Sequence, residues 1–305
     1  MLDLFRLKVL AALARHGSVT AAARELGYAQ PSISHHLSRL EAEAGVPLTR
    51  RAGRGIRLTP AGELLAQRAT EILGRVSSAE DELAAIAGLR SGRVRVAGFQ
   101  SALSSVVTAA AARMRAAAPD IELTLQDLHP DVALQQLREG VIDVAVVFRY
   151  DDEVPDDMRF THLFDDAMHL LSTEPGQALR DHADSPWIAG CERCRSELVS
   201  ACEGAGFAPR IRYTSDDPLV QQSMVAAGLG VTMSPGLSVA QHQVPGVETT
   251  ELDDFRRRVY VATYGEPPDL PATSAFVQAV VEAARGQLRA TARPRRTTSA
   301  GARGS

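Results

Sequence analysis

Residues 18–62 read SVTAAARELGYAQPSISHHLSRLEAEAGVPLTRRAGRGIRLTPAG, and few folds accommodate that string. Ser18 and Thr20 are capping residues for a short helix. Its Ala21, Ala22 and Ala23 allow another helix to approach closely. Leu26 closes the apolar side, and Gly27 supplies the left-handed residue that ends the helix. Pro31 suits the first turn of a second helix, where its missing amide costs nothing. In that helix Ile33, Leu37 and Leu40 share one inward face, while Ser32, Ser34, His35, Ser38 and Arg39 face outward. A hairpin around Gly53 and Gly55 follows, carrying Arg50, Arg51, Arg54 and Arg57. The pattern predicts a winged helix-turn-helix, whose second helix enters a DNA major groove beside phosphate-gripping arginines.

Each expected contact has a chemical reason. Gln30, at the leading end, can pair bidentately with adenine; Thr20, Pro31 and the outward serines are short enough to bring backbone near the groove floor. The arginines of the hairpin add sequence-blind, salt-sensitive attraction to phosphate. Charge is partitioned to match. Residues 1–62 hold nine Lys or Arg against four acids, a net of +5, whereas residues 91–284 hold 15 basic and 28 acidic side chains, a net of −13. The whole-chain charge of −4 therefore conceals a basic head on an acidic body.

These motifs resemble the DNA-binding domain of LysR-type transcriptional regulators. The resemblance rests on Ala21-Ala22-Ala23, Gln30-Pro31-Ser32-Ile33-Ser34, Leu40-Glu41, Gly45 through Arg51, and Arg54 through Leu58-Thr59-Pro60-Ala61-Gly62. Three positions depart from the family pattern. Thr49 stands where Phe is usual, which thins the apolar contact expected between wing and helices. His35 and His36 stand where Arg or Lys is common, which bears on base preference.

The remaining chain is read from its periodicity. MLDLFRLKVL has no secretory-signal pattern and reads as an amphipathic helix with Leu4, Leu7, Leu10, Ala11 and Ala14 inward. No apolar run reaches the ~18 residues of a membrane span, so a cytoplasmic location is expected. From Pro60 to about Leu89 one long helix carries Leu65, Ala69, Ile72, Val76, Ala79, Leu83 and Ile86 at alternating spacings of four and three, a coiled-coil seam for self-association. The alternative is a helix lying on its own domain. The seam supports a dimer; the family resemblance implies a tetramer, with RNA polymerase as a candidate further partner.

After Ser91-Gly92, short apolar strands alternate with helices, which predicts an α/β body with mainly parallel sheets. Strands are expected at Arg93–Gly98, Ile121–Leu125, Asp143–Phe148, Met168–Ser172, Trp187–Ala189, Ile211–Thr214, Gly230–Met233, Val247–Leu252 and Val259–Thr263, with connecting stretches at Arg149–Leu163 and Phe255–Tyr264. The expected fold class is α/β: an N-terminal winged helix-turn-helix (1–59), a long linker helix (60–90) and a two-subdomain α/β effector domain (91–289). By the resemblance, that domain is like a periplasmic binding protein. Subdomain I would hold about 91–160 and 264–289, subdomain II about 161–263, and 290–305 a disordered tail.

Ligands of open α/β sheets lie beyond the carboxyl ends of the strands. That rule selects Phe99, Gln100 and Ser101 after the first strand, Phe148 and Arg149 with Tyr150 after the third, then Gly190, Cys191, Ser215, Asp216 and Thr232 beside Met233. Ser101 and nearby amides would take a carboxylate or similar group, or Ser101 simply caps its helix. Asp216 and Asp217 are each candidates for capping the helix that follows them or for touching the ligand. The segment GCERCRSELVSAC carries all three cysteines, Cys191, Cys194 and Cys202. Structural use, thiol-based redox sensing and metal binding all stay open, and the resemblance adds that some peroxide-sensing members use cysteines in this subdomain.

The function expected is a sequence-specific DNA-binding transcriptional regulator controlled by a small-molecule effector in the cleft, with double-stranded promoter DNA as partner. A thiol-based redox-responsive regulator is the alternative, and an architectural DNA protein a further rival. No Ser-His-acid set, cofactor motif or metal cluster argues for catalysis.

Overall fold

The computed structural model describes residues 2–52, 55–86, 92–151, 153–265, 267 and 269–291. The head is built from α1 (Leu4–His16), α2 (Val19–Leu26) and α3 (Gln30–Ala44), followed by the antiparallel strands β1 (Thr49–Ala52) and β2 (Gly55–Leu58). Gly17 and Gly27, at φ 64° and 73°, end α1 and α2 in the left-handed conformation that glycine alone adopts without strain. Ser18 caps α2 by accepting from Ala21 N at 3.0 Å; Thr20 lies within that helix and is exposed.

Ile33, Leu37 and Leu40 of α3 close a core with Leu7, Leu10, Leu13, Ala23 and Leu48. The face of α1 differs from the expected one. Leu4 and Ala14 are exposed, while Val9, Ala12 and Leu13 are buried. The reason is that α1 is packed by α2, α3 and α4 together, so its buried surface is wider than one stripe.

The helix α4 (Pro60–Ile86) leaves the head against α1. The front of the expected seam is therefore spent within the chain: Ala66 and Ala69 are buried, with Leu65 and Leu73 packed on the head's core. Leu64, Ile72, Ala79 and Leu83 are exposed. The side chain of Ile86, like residues 87–91, lies outside the described residues.

The body opens with β3 (Arg93–Gly98), α5 (Gln100–Ala102), a π-helical turn (Leu103–Val107), α6 (Thr108–Ala117), β4 (Glu122–Asp127), α7 (Pro130–Arg138) and β5 (Val144–Arg149). Then come β6 (Met158–Ser172), a 3-10 turn (Leu179–His182), β7 (Pro186–Ala189), α8 (Glu192–Gly204), β8 (Arg210–Thr214), α9 (Pro218–Ala226), β9 (Thr232–Pro235), α10 (Gly236–Gln241), β10 (Glu248–Tyr264) and α11 (Pro271–Thr291). Residues 290–291 thus belong to α11; the rest of the expected tail lies outside the described residues.

One six-stranded sheet runs β4-β3-β5-β10-β6-β9, and β7 and β8 form a parallel pair beside it. The sheet is mixed, not mainly parallel: β3 pairs parallel with β4 and β5, but β10–β5, β10–β6 and β6–β9 are antiparallel. The cause lies in the two stretches expected to be connections: residues 158–163 of the first belong to the long strand β6, and all of the second, Phe255–Tyr264, belongs to β10. Apart from Val247, which precedes it, the expected strands Val247–Leu252 and Val259–Thr263 accordingly fall on one strand, interrupted by a register shift between Leu252 and Arg256.

Residues 258–262 of β10 pair with β5, whereas residues 168–171 of β6 pair with β9, so the two long strands tie both halves of the body together. Val94, Val96, Val144, Val259, Val261 and Phe276 anchor the core of the first half. Met168, Leu170, Trp187, Leu198 and Cys202 anchor that of the second.

Candidate functional site

Two surfaces are built from these elements. On the head, α3 starts at Gln30 with Pro31 in its first turn, and Ala29 offers no side-chain cap. Gln30, Pro31, His35, Ser38 and Arg39 are exposed; Ser32 and Ser34 are half-buried, and Ser38 Oγ donates back to Ser34 O at 3.1 Å. His36 instead packs edge-on against Phe5, 4.8 Å between centroids. On the hairpin, Arg50 and Arg57 are cross-strand partners and both exposed, with Arg51 exposed next to them. Like charges placed opposite one another repel, a cost that an anion between them removes. Arg54 lies outside the described residues.

A polar clasp fixes the hairpin to α3. Glu41 Oε1 accepts from Leu48 N at 2.9 Å, Thr49 N at 2.8 Å and Thr49 Oγ1 at 3.0 Å. Thr49 thus replaces an apolar contact with a hydrogen bond to the Leu40-Glu41 pair.

The second surface is a cavity of about 260 Å³ at the strand ends of the body. Phe99, Gln100, Ser101, Asp127, His129, Phe148 and Tyr150 reach it from one half; Gly190, Cys191, Cys194, Leu198, Asp216 and Met233 reach it from the other. An apolar cavity near 150 Å³ accommodates benzene, so this one has room for a substituted ring. Arg193 of α8 meets Asp131 of α7 at 2.5 Å, and His129 Nε2 lies 3.8 Å from Asp216, so polar contacts bridge the two halves.

Arg257 forms the inner wall. Its Nε donates to Asp166 Oδ2 at 2.9 Å, Nη2 forms an ion pair with the same oxygen at 2.8 Å, and Nη2 donates to Ser101 Oγ at 2.8 Å. Its guanidinium stacks 4.7 Å from the Phe99 ring centroid and 4.6 Å from that of Phe148. Burial pushes the Tyr150 phenol well above its ordinary range. Among the described residues no group of three His, Cys, Asp or Glu is placed to hold a metal ion, and no helix is long and apolar enough to cross a membrane.

Two family models cover most of the chain: the bacterial regulatory helix-turn-helix protein of the lysR family over residues 4–63, and the LysR substrate binding domain over residues 87–285. The chain belongs to the LysR family. This LysR protein is a DNA-binding transcriptional regulator with an effector-binding domain. It is 28% identical over 292 residues to the HTH-type transcriptional regulator TfdS of Cupriavidus pinatubonensis, covering 92% of this chain and 98% of that one. It is 33% identical over 246 residues to the small neutral protease regulatory protein of Streptomyces coelicolor, covering 76% and 73% of the two chains. Its fold matches the crystal structure of the LysR family regulator CbnR with a TM-score of 0.67, at 22% identity and 93% and 99% coverage. CbnR complexed with its target DNA matches at 0.65, with 22% identity and 92% and 100% coverage.

Of the cleft residues selected from the LysR sequence, the structure gathers Phe99, Gln100, Ser101, Phe148, Gly190, Cys191 and Asp216 around the cavity. Arg149, Ser215 and Thr232 stand outside its wall. Strand alternation turns Arg149 away from Phe148, into an ion pair with Asp151, and turns Thr232 away from Met233, so that its hydroxyl donates to Ile188 O at 2.8 Å. Ser215 accepts from Asp217 N and shapes the loop, while Asp217, not Asp216, caps α9. The carboxylate seat expected at Ser101 is also altered: its hydroxyl is occupied by Arg257, and the amides of Ala102 and Leu103 are bonded to Phe99 O. Arg257 and Asp166 were not among the expected residues, although each shares its strand parity with buried Val259 and Val261, or Phe164 and Met168.

Proposed function

We propose that this regulator reads operator DNA with α3 and the β1–β2 hairpin, and that a small molecule in the body's cavity biases its DNA-bound arrangement. Thr20, Gln30, Pro31, Ser32, Ser34, His35, Ser38 and Arg39 serve the groove; Arg50, Arg51, Arg54 and Arg57 serve phosphate. Phe99, Gln100, Phe148, Tyr150, Gly190, Cys191 and Asp216 meet the effector, with Arg257 as the fixed inner wall. The head (1–59), linker (60–90) and effector domain (91–289, in two subdomains) divide the labour. Exposed Leu64, Ile72, Ala79 and Leu83 support pairing of α4 with a second copy, hence a dimer on paired half-sites. Association of two dimers and contact with RNA polymerase complete the reading. It is a regulator rather than an enzyme, and its DNA partner places it in the cytoplasm.

The observation that carries the effector role is the cavity itself, walled from both halves of a body that two long strands join. Its charges suggest the ligand's class. Arg257 is matched by Asp166, which leaves Asp127 and Asp216 at the mouth with His129, so a largely apolar neutral or cationic molecule fits better than an anion. The test is a thermal-shift panel of ring-sized amines, neutral rings and carboxylates, with footprinting on the gene's own upstream DNA. Amines or neutral rings should raise Tm and change the footprint. If no compound stabilises the protein, an architectural DNA role replaces this one; if only carboxylates do, the charge argument is wrong.

A further inference from the structure

Cys191, the N-cap of α8, and Cys194, in its first turn, both face the cavity. Their sulfurs lie 2.9 Å apart, and the Cys194 amide points at Cys191 Sγ from 3.5 Å. The geometry is polarised. The Cys194 thiol, donating to its neighbour, holds the Cys191 pKa down to about 6. The same hydrogen bond and burial drive Cys194 far above the ordinary thiol range. Near neutral pH the pair is thus a thiolate beside a thiol, the state from which dithiols exchange. Cys202, on the same helix, is fully buried among Trp187, Leu198 and Met168, and burial raises its pKa to about 12. It is core.

We propose that Cys191 and Cys194 form a reversible dithiol–disulfide couple in the wall of the effector cavity. The oxidant is a low-molecular-weight disulfide, RSSR. Cys191 sulfur attacks one sulfur of RSSR, forming a mixed disulfide and releasing RS⁻. Cys194 then loses its proton to solvent base and attacks Cys191 sulfur, releasing a second RS⁻. One S–S bond breaks and one forms, and two electrons pass from the protein to RSSR. The sulfurs need approach by less than 1 Å to reach the disulfide length of about 2.0 Å. Oxidation removes one negative charge from a wall that already holds Asp127 and Asp216, so redox state would tune which ligands the cavity accepts. That consequence rests on the cavity being the effector site; the couple itself does not.

The experiment uses the full-length protein without effector or DNA. It is equilibrated across dithiothreitol buffers from fully reduced to fully oxidised, acid-trapped, alkylated in denaturant and weighed. Alkylatable thiols should fall from three to one in a single step, with the link mapped to Cys191–Cys194. Cys202→Ser should keep the step, while Cys191→Ser and Cys194→Ser should lose it. In native reduced protein, iodoacetamide should modify Cys191 first, with a reactivity midpoint near pH 6 set by its neighbours Cys194, His129 and Asp216, with Tyr150 behind Cys194. Three free thiols in every buffer, a link involving Cys202, or a Cys191 midpoint near that of a free thiol, about 8.5, would each overturn the proposal. Such a failure leaves the thermal-shift result standing.

Discussion

Arg257 and Asp166 stand directly opposite each other in the antiparallel β10–β6 pair, 3% and 5% exposed, on the line where the two halves of the body meet. The pair also orders its surroundings: Asp166 Oδ1 accepts from Leu237 N at 2.9 Å at the start of α10, and Arg257 holds the Ser101 hydroxyl. Removing one partner strands the other as a buried charge. Asp166→Ala should therefore cost about 3–5 kcal/mol in denaturant unfolding, and Arg257→Leu a comparable amount. The double variant Asp166→Leu/Arg257→Leu should recover a large part of that loss. Additive losses in the double variant would show that the pair is not the source of the effect.

How much of this was legible depended on how local the signal was. The head was readable because its determinants are contiguous: glycine stops, a proline in the first turn, an apolar face at 33, 37 and 40. The cleft was readable only where a strand ends. Ser101, Phe148 and Cys191 sit at such ends, but Arg149 and Thr232 sit one residue off, and a single step reverses a strand side chain. Arg257 hides in the run Arg256-Arg257-Arg258, where composition says exposed surface. Only its parity with Val259 and Val261 marks it as inward, and its partner is 91 residues away. The seam of α4 was misassigned in part because 4-3 spacing specifies an apolar stripe and not which body covers it.

The Glu41 clasp predicts a separable defect in the wing. Glu41→Ala strands two backbone amides and a hydroxyl at the base of the hairpin. Stability should fall by about 1–3 kcal/mol in thermal or urea unfolding. Thr49→Val, which removes one of the three donors, should cost about 1 kcal/mol. Equal losses from both variants would argue against the shared acceptor.

The division between groove and phosphate gives opposite signatures in DNA-binding assays. Arg50→Ala or Arg57→Ala should weaken binding to operator and random DNA alike, and reduce the salt slope by about one counterion. Gln30→Ala or Ser34→Ala should relax base preference, by roughly 1–3 kcal/mol for a bidentate contact, with the slope unchanged. Relief of the Arg50–Arg57 repulsion should also make Arg57→Ala no less stable than the parent when DNA is absent.

His182 should impose a pH dependence on folding. Its ring is buried edge-on to Trp187, Nδ1 meets Ser185 Oγ at 3.2 Å, and burial lowers its pKa below the ordinary imidazole value. Below about pH 6.5 the unfolded chain binds a proton that the native ring resists. Stability is therefore complete above that pH and falls as pH drops towards the lower native value. Urea midpoints between pH 7.5 and 5 should show this slope, and His182→Phe should flatten it. An unchanged slope would assign the effect to other groups.

Gly74 decides whether the linker can lean on the body. It lies in the middle of α4, where alanine would ordinarily gain about 1 kcal/mol. Here an added Cβ would fall 1.9 Å from Glu139 O and 2.8 Å from the Gly140 Cα, both backbone atoms that cannot swing aside. Arg75, stacked 5.1 Å from the Tyr264 ring centroid, belongs to the same contact. Gly74→Ala should accordingly reverse the helix-propensity expectation, costing about 1–3 kcal/mol as overpacking does, and should expose α4 to proteolysis while leaving the isolated head's contacts intact. Gly74→Ala protein that is more stable than the parent, with its linker equally protected, would mean that α4 and the body do not touch in solution.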